Sequence, residues 1–324
     1  MKKLLFILLF LPVLAFGQHG MWANGWRHAV TPESYLLLNA GYEESNSLNT
    51  QSPALLTPEY RSSSEEKNST APYVAFERTG TVSRSGSWAL LVRLDEDYPL
   101  DDRHRAERTF YNLATPIAEQ WYRVSIFIPE DWEDDANTCQ LYQFHSLDNP
   151  GDGAKIPALS CFVSSGQYDI NIAWNSLYQS SGWHDEHFYP GAISGDKGTW
   201  VDWVIHARWD YRADSSGGNG LIEIWKNGDL VVNYNGACGY NDDLGVYFKW
   251  GLMKLGPWTF TSSEKIAYFD DVRVGTDDAD YAEMMAVIYF EHRNKMGIHV
   301  SWVIHFYIID KKKKYLCPIL SQAV

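Results

Sequence analysis

Cysteine is scarce in this chain: Cys139, Cys161, Cys238 and Cys317 are the only four, and no two form a Cys-x-x-Cys pair. That spacing argues against a structural zinc site, which needs clustered thiolates or imidazoles. Basic residues are also in deficit, 27 against 41 acidic ones, for a formal charge of −14. Nucleic acid and anionic membranes require a basic footprint, so neither is an expected partner. A polyanionic ligand then requires basic side chains gathered into one cleft. No apolar run reaches the roughly 20 residues that span a bilayer; Leu4–Phe16 and Ile298–Ile309 both fall short. An EF-hand spacing is missing. So is a compact Glu-x-Asp-x-x-Glu strand, which would supply the paired carboxylates of a glycoside hydrolase.

What is present begins with an export pattern. Met1-Lys2-Lys3, the apolar run Leu4–Phe16 and the small-residue step Ala15-Phe16-Gly17 have the form of a signal peptide over residues 1–17. The mature chain is expected to start near Gln18 as a secreted or periplasmic protein, with no cysteine placed to carry a lipid. Export permits a disulfide, and Cys139 with Cys161 is the plausible pair because both flank apparent neighbouring strands. Aromatic content is 15%, with 14 Trp and 20 Tyr. It suits stacked sugar rings and a large β core equally.

From Gln18 to about Thr70 the sequence reads as irregular, with a solvated stretch at Ser62–Ser69. Short alternating segments follow between turn signals. They predict strands at Tyr73–Glu77, Ser87–Leu94, Glu107–Leu113, Trp121–Ile128, Gln140–His145, Ala158–Val163, Tyr168–Trp174, Trp200–Trp209, Gly220–Lys226, Asp229–Tyr234, Tyr247–Leu255 and Lys265–Val274. With hardly any amphipathic helix among them, they indicate an all-β, antiparallel β-sandwich of the jelly-roll kind. Asn227-Gly228 predicts a type I′ hairpin turn. The domain is expected to span residues 18–280, leaving 281–324 as a C-terminal extension of unassigned role.

Alternation also sorts candidate chemistry by face. Gln143 and His145 share one face of their strand; Tyr247, Lys249, Gly251 and Met253 share one face of theirs. Gly251 is expected to leave room for a ligand. In Trp200–Trp209, Trp203, Ile205, Ala207 and Trp209 form an apolar face and Val204, His206 and Arg208 the opposite one. Trp203, Trp209 and Trp250 are expected in the core on periodicity. Arg103-His104-Arg105-Ala106-Glu107-Arg108 gathers three arginines, which by default form a solvated run balanced by Asp101, Asp102 and Glu107.

Gln143-Phe144-His145, Trp203–Trp209, the Gly220–Gly228 hairpin and Tyr247-Phe248-Lys249-Trp250-Gly251, in this order, resemble the polysaccharide lyases related to heparin lyase I and glucuronan lyase. Arg105-Ala106-Glu107 and Tyr268–Gly275 extend the resemblance, which covers roughly Gly41 to Gly275. It implies a jelly roll whose concave sheet binds a uronic-acid polymer and cleaves it by β-elimination. In that chemistry a base removes the C5 proton, donors neutralise the uronate carboxylate, and an acid assists departure of the C4 oxygen. The implied catalytic residues are Gln143 as neutraliser, His145 as base or its partner, and Lys249, which holds the polyanion or lowers a neighbouring Tyr pKa. Arg105, His206, Arg208 and Lys254 are the expected substrate-binding residues, His206 on condition that its strand lies in the sheet that faces the cleft.

One departure stands out: the family's Tyr four residues after that Lys is Met253 here, and a thioether transfers no proton. Either Tyr247 supplies a phenol, or His145 carries both proton transfers, or only sugar binding remains. Related sandwiches often hold a structural calcium, for which Glu43, Asp270 and Asp271 would offer hard oxygen ligands. The expected function is an exported lyase on a glucuronan-like or alginate-like acidic polysaccharide. A non-catalytic carbohydrate-binding protein and a glycoside hydrolase are the alternatives.

Overall fold

The computed structural model describes residues 75–97, 104–110 and 115–286, with Tyr42 and the segments 26–28, 36–40, 56–57, 290–292, 306–309 and 316–319. In chain order the strands are β1 (Trp26–His28), β2 (Leu36–Ala40), β3 (Leu56–Thr57), β4 (Phe76–Thr79), β5 (Ala89–Asp95), β6 (His104–Phe110) and β7 (Ala118–Phe127). There follow β8 (Cys139–Ser146), β9 (Leu159–Ser164), β10 (Gln167–Asn175), β11 (His184–Phe188), β12 (Trp200–Trp209), β13 (Leu221–Lys226) and β14 (Asp229–Asn235). The remainder are β15 (Gly239–Tyr240), β16 (Val246–Lys254), β17 (Glu264–Gly275), β18 (Phe290–His292), β19 (Phe306–Ile309) and β20 (Leu316–Ile319), with helix α1 (Tyr281–Met285) after β17. Two compact units result, Pro32–Val287 and a second made of Met1–Thr31 with Ile288–Val324. In the second, β1 pairs with β18 and β19 with β20.

The larger unit is a jelly-roll sandwich of two eight-stranded sheets. Sheet I runs β11-β10-β9-β8-β16-β6-β3, with β15 beside β10; sheet II runs β14-β13-β12-β7-β17-β5-β4, with β2 beside β17. Alternation decides what each sheet turns inward. From β12, Trp203, Ile205, Ala207 and Trp209 are buried; from sheet I, Tyr142, Phe144, Phe248 and Trp250 meet them. Phe144 packs on Trp209 at 5.4 Å between ring centroids and on Phe248 at 4.8 Å. The three tryptophans expected in the core are there. Asn227 (φ 50°) and Gly228 (φ 94°) both adopt the positive φ of the expected I′ turn.

Three features differ from expectation. Leu36–Ala40, in the stretch read as irregular, is a strand paired with β17. β11 is a strand although its sequence, His-Asp-Glu-His-Phe, shows no apolar alternation. The larger unit also runs past Asp280 through α1. There the Asp280 carboxylate and Glu283 form a capping box, and Met284 is buried against Trp121 and Val204. The Arg123 and Arg273 guanidiniums donate to the Met284 carbonyl at 3.2 and 2.7 Å.

The expected disulfide is not formed. Cys139 lies opposite Val163, and Cys161 opposite Tyr142, and both thiols are free and buried. The register that sets Cys139 opposite Val163 already places Cys161 two residues further along β9, and an irregularity between Gln140 and Tyr142 adds one more. The signal peptide over residues 1–17 lies outside the described residues.

Candidate active site

β16 sits at the centre of sheet I between β8 and β6. Phe248, Trp250 and Leu252 enter the core, so Tyr247, Lys249, Gly251 and Met253 line the opposite face, as alternation predicts. Pairing then decides their neighbours. Tyr247 lies directly opposite His145, and Lys249 opposite Gln143 on one side and Thr109 on the other. Gly251 is opposite Glu107, and Met253 opposite Arg105. In β8 the irregularity at Leu141 turns Cys139 and Leu141 as well as Tyr142 and Phe144 inward, leaving Gln143 and His145 outward. The fold therefore gathers Gln143, His145, Tyr247, Lys249 and Arg105 on one face.

Within this patch, His145 Nδ1 is 2.8 Å from the Ser146 carbonyl. A carbonyl only accepts, so Nδ1 carries the proton and the neutral ring keeps its lone pair on Nε2. The His145 and Tyr247 rings lie 6.0 Å apart between centroids, and Lys249 Nζ is 5.2 Å from the Tyr247 ring. Gln143 Nε2 donates to Glu107 Oε1 at 2.5 Å, and Glu107 Oε2 is 3.5 Å from Arg105 Nε. Arg105 Nε and Nη2 donate to the Met253 sulfur at 3.0 and 2.8 Å. A thioether is a weak acceptor, so the guanidinium is poised for a better one. Glu107 was legible only as part of Arg105-Ala106-Glu107; its role as the anchor of Gln143 depends on strand order.

Gly251 does not open space for a ligand. It has φ 139°, and a Cβ there would run into the Ala106 carbonyl oxygen and come within 2.7 Å of Glu107 Cα. Its small size instead serves the close approach of β6.

The patch continues as one row across sheet I. Thr109, Lys249, Gln143, Ser160, Asn171 and His187 are successive cross-strand partners on β6, β16, β8, β9, β10 and β11. Ser160, Asn171 and His187 escaped the sequence reading. Polar residues between core positions of β9 and β10 were the only signal, and β11 had none.

Other expected site residues are elsewhere. His206 belongs to sheet II, stacked on Trp121 at 4.1 Å and bonded to Glu119 and Glu223 at 2.7 and 2.9 Å. Arg208, on the same strand, donates to the Asn219 carbonyl at 2.6 Å. Which sheet carries β12 is a property of the whole chain, so alternation alone gave the right face of the wrong sheet. Lys254 points inward, completely buried, with Nζ 2.6 Å from Asp135 Oδ2. By parity it belongs with Phe248 and Trp250.

Of the expected calcium ligands, Glu43 lies outside the described residues. The carboxylate of Asp270 accepts backbone N–H groups from Arg84 and Ser85 at 2.8 and 3.2 Å, and from Asp271. Asp271 faces Arg123 at 3.1 Å and Arg273 at 3.5 Å. Burial, with the Asp271 charge beside it, holds the Asp270 carboxyl well above the usual carboxylate range. Calcium takes six to eight unprotonated oxygens; these two carboxylates are turned to the protein's own amides and guanidiniums and do not fit that demand.

A family model described as "Polysaccharide lyase" matches residues 60–273. Among solved structures, endo-β-1,4-glucuronan lyase from the fungus Trichoderma reesei is similar at TM-score 0.57 and 21% identity, over 67% of this chain and 94% of that one. An alginate lyase from Pseudomonas aeruginosa aligns at TM-score 0.43 and 17% identity, over 66% of this chain and 90% of that one. Alginate lyase A1-II' aligns at 0.45 and 14%, over 66% and 88%. At 21% identity the likeness to the glucuronan lyase speaks for the fold alone. No curated protein matches the chain.

Proposed function

The chain belongs to the polysaccharide lyase family, and from that premise we propose that it is an exported enzyme that cleaves a uronic-acid-containing polysaccharide by β-elimination over the β8–β16 patch. The observation that carries this reading is the pairing of His145, its tautomer held by the Ser146 carbonyl, with the Tyr247 phenol beside the Lys249 ammonium.

The uronate carboxylate must lose its charge before the C5 proton becomes removable. Gln143, oriented by Glu107, donates to it, and Arg105 exchanges the Met253 sulfur for a carboxylate oxygen, a far stronger acceptor. His145 Nε2 takes the C5 proton, and the C5–H pair moves into the carboxylate as an enolate. As that pair returns to form the C4–C5 double bond, the C4–O bond breaks and the Tyr247 hydroxyl protonates the departing oxygen. Lys249 holds the polyanion and favours the tyrosinate left behind; the cycle closes when His145 gives the C5 proton up to solvent and the tyrosinate takes a proton back. Met253 takes no part in proton transfer.

Ultraviolet absorbance of the unsaturated uronate, followed over a panel of uronic-acid polymers, tests this. A rise that His145→Ala and Tyr247→Phe each reduce by about 10²- to 10⁴-fold supports the assignment. Met253 favours a second reading, binding without cleavage; a flat trace with retained glycan binding would establish it.

A further inference from the structure

At the β11 end of the row the charge on this face changes sign. His187 Nδ1 is 2.7 Å from Asp169 Oδ1 and Nε2 is 3.0 Å from Asp185 Oδ2. Asn171 Nδ2 lies 3.0 Å from Asp185 Oδ2 and 2.9 Å from His187 Nε2. Burial disfavours the imidazolium, but the two carboxylates outweigh it and raise the His187 pKa. Even with His187 charged, two carboxylates against one imidazolium leave the cluster negative. Arg105 and Lys249 stand at the opposite end. Lys249 and His187 are four strands apart, roughly 19 Å at ~4.8 Å per strand, a span suited to a short oligosaccharide.

Two further observations bear on what binds there. Asn171 is 2% exposed, and its Oδ1 has no hydrogen-bond partner; neither does the buried Ser160 Oγ next to it on the row. A buried acceptor without a donor is rare and asks for one. Asp169, Asp185 and Asn171 Oδ1 thus form an acceptor-rich floor, which sugar hydroxyls can satisfy and a uronate carboxylate cannot. Beside it, the Tyr189 ring, 67% exposed, stacks over His187 at 6.2 Å with 12° between planes. It offers a flat face to a pyranose ring.

We propose that the β10–β11 end of this row is a neutral-sugar subsite, so that the polymer cleaved over Gln143 and Lys249 carries an uncharged sugar several units from the reacting uronate. This rests on the lyase reading above and departs from a pure polyuronate of the glucuronan or alginate kind. Discrimination comes from repulsion as much as attraction, because a uronate set over Asp169 and Asp185 meets like charge.

The test compares kcat/KM on glucuronan oligosaccharides with that on equally long oligosaccharides alternating glucuronate and neutral hexose, for the wild type and Asp169→Asn/Asp185→Asn. The wild type is expected to prefer the mixed substrate by about tenfold, equivalent to about 1.4 kcal/mol. The double variant should lose that preference, slowing on the mixed substrate and quickening on glucuronan. Added salt should narrow the wild-type preference, which a purely structural role of the aspartates would not produce. A substrate ratio unmoved by the double substitution overturns the proposal. Calorimetric titration with a neutral cello-oligosaccharide separates this from failure of the lyase reading. Binding lost in the double variant but kept in His145→Ala upholds the subsite even if no polymer is cleaved, and absence of wild-type binding overturns it.

Discussion

Gln143 reaches Glu107 across an entire strand: β16 lies between β8 and β6, and Gln143 Nε2 donates to Glu107 Oε1 at 2.5 Å. The Glu107 carboxylate is taken up by Gln143 and Arg105, so it acts on the substrate through them. Glu107→Gln is expected to lower kcat by about 10²-fold, the scale set by losing one oriented donor, with little change in KM. Circular dichroism and a retained melting transition would show that the fold survives; unchanged kcat would remove Glu107 from the positioning role.

Gly251→Ala should damage stability before chemistry. The positive φ and the collision with the Ala106 carbonyl add strain and overpacking, for a loss of about 2–4 kcal/mol. Urea denaturation measures it. A neutral effect would mean that β6 and β16 separate easily at this point.

Met253→Tyr places a phenol against the Arg105 guanidinium, which lowers its pKa and gives the site a second proton donor. Activity is expected to rise, and Tyr247→Phe should cost much less in this background than in the wild type. Steady-state kinetics of the two single variants and the double variant decide this. Equal losses in both backgrounds would mean that position 253 does not reach the leaving oxygen.

Asp135 and Lys254 tie the loop after β7 to the end of β16. Burial alone would raise the Asp135 pKa, but the Asn137 amide, Lys254 and Thr259 bring it down to about 2. A depressed folded pKa contributes stability that is fully present above the unfolded value of about 4 and is lost as pH falls toward 2. Asp135→Asn should therefore flatten the acid limb of stability between about pH 4 and pH 2. At neutral pH it should cost about 3 kcal/mol by leaving the buried ammonium without its counter-charge. Melting temperature against pH for both proteins tests the two effects together.

Helix α1 belongs to the larger unit, so where the chain is cut matters. Ending it at Asp280 removes Met284 from its site on Trp121 and Val204 and deprives Arg123 and Arg273 of their carbonyl acceptors. That truncation is expected to cost at least about 3 kcal/mol relative to one ending at Val287, since Met burial and charged hydrogen bonds are lost together. Chemical denaturation of the two truncated proteins is the comparison.

Short-range rules account for much of what could be read in advance. Period-two alternation located twelve strands and put Gln143 with His145, and Lys249 with Tyr247, on matching faces, because side-chain direction along a strand depends only on adjacent residues. Asn227-Gly228 located its turn for an equally local reason. The polar strand β11, at the edge of sheet I, escaped because an edge strand needs no alternating apolar set to be held in place. Only the tertiary structure decided which strands became neighbours. It placed His206 in sheet II, brought Gln143 to Glu107 across β16, and set Cys139 opposite Val163 rather than Cys161. Strand order and register are settled by burying two apolar faces against each other, a property of the whole chain that no local pattern encodes.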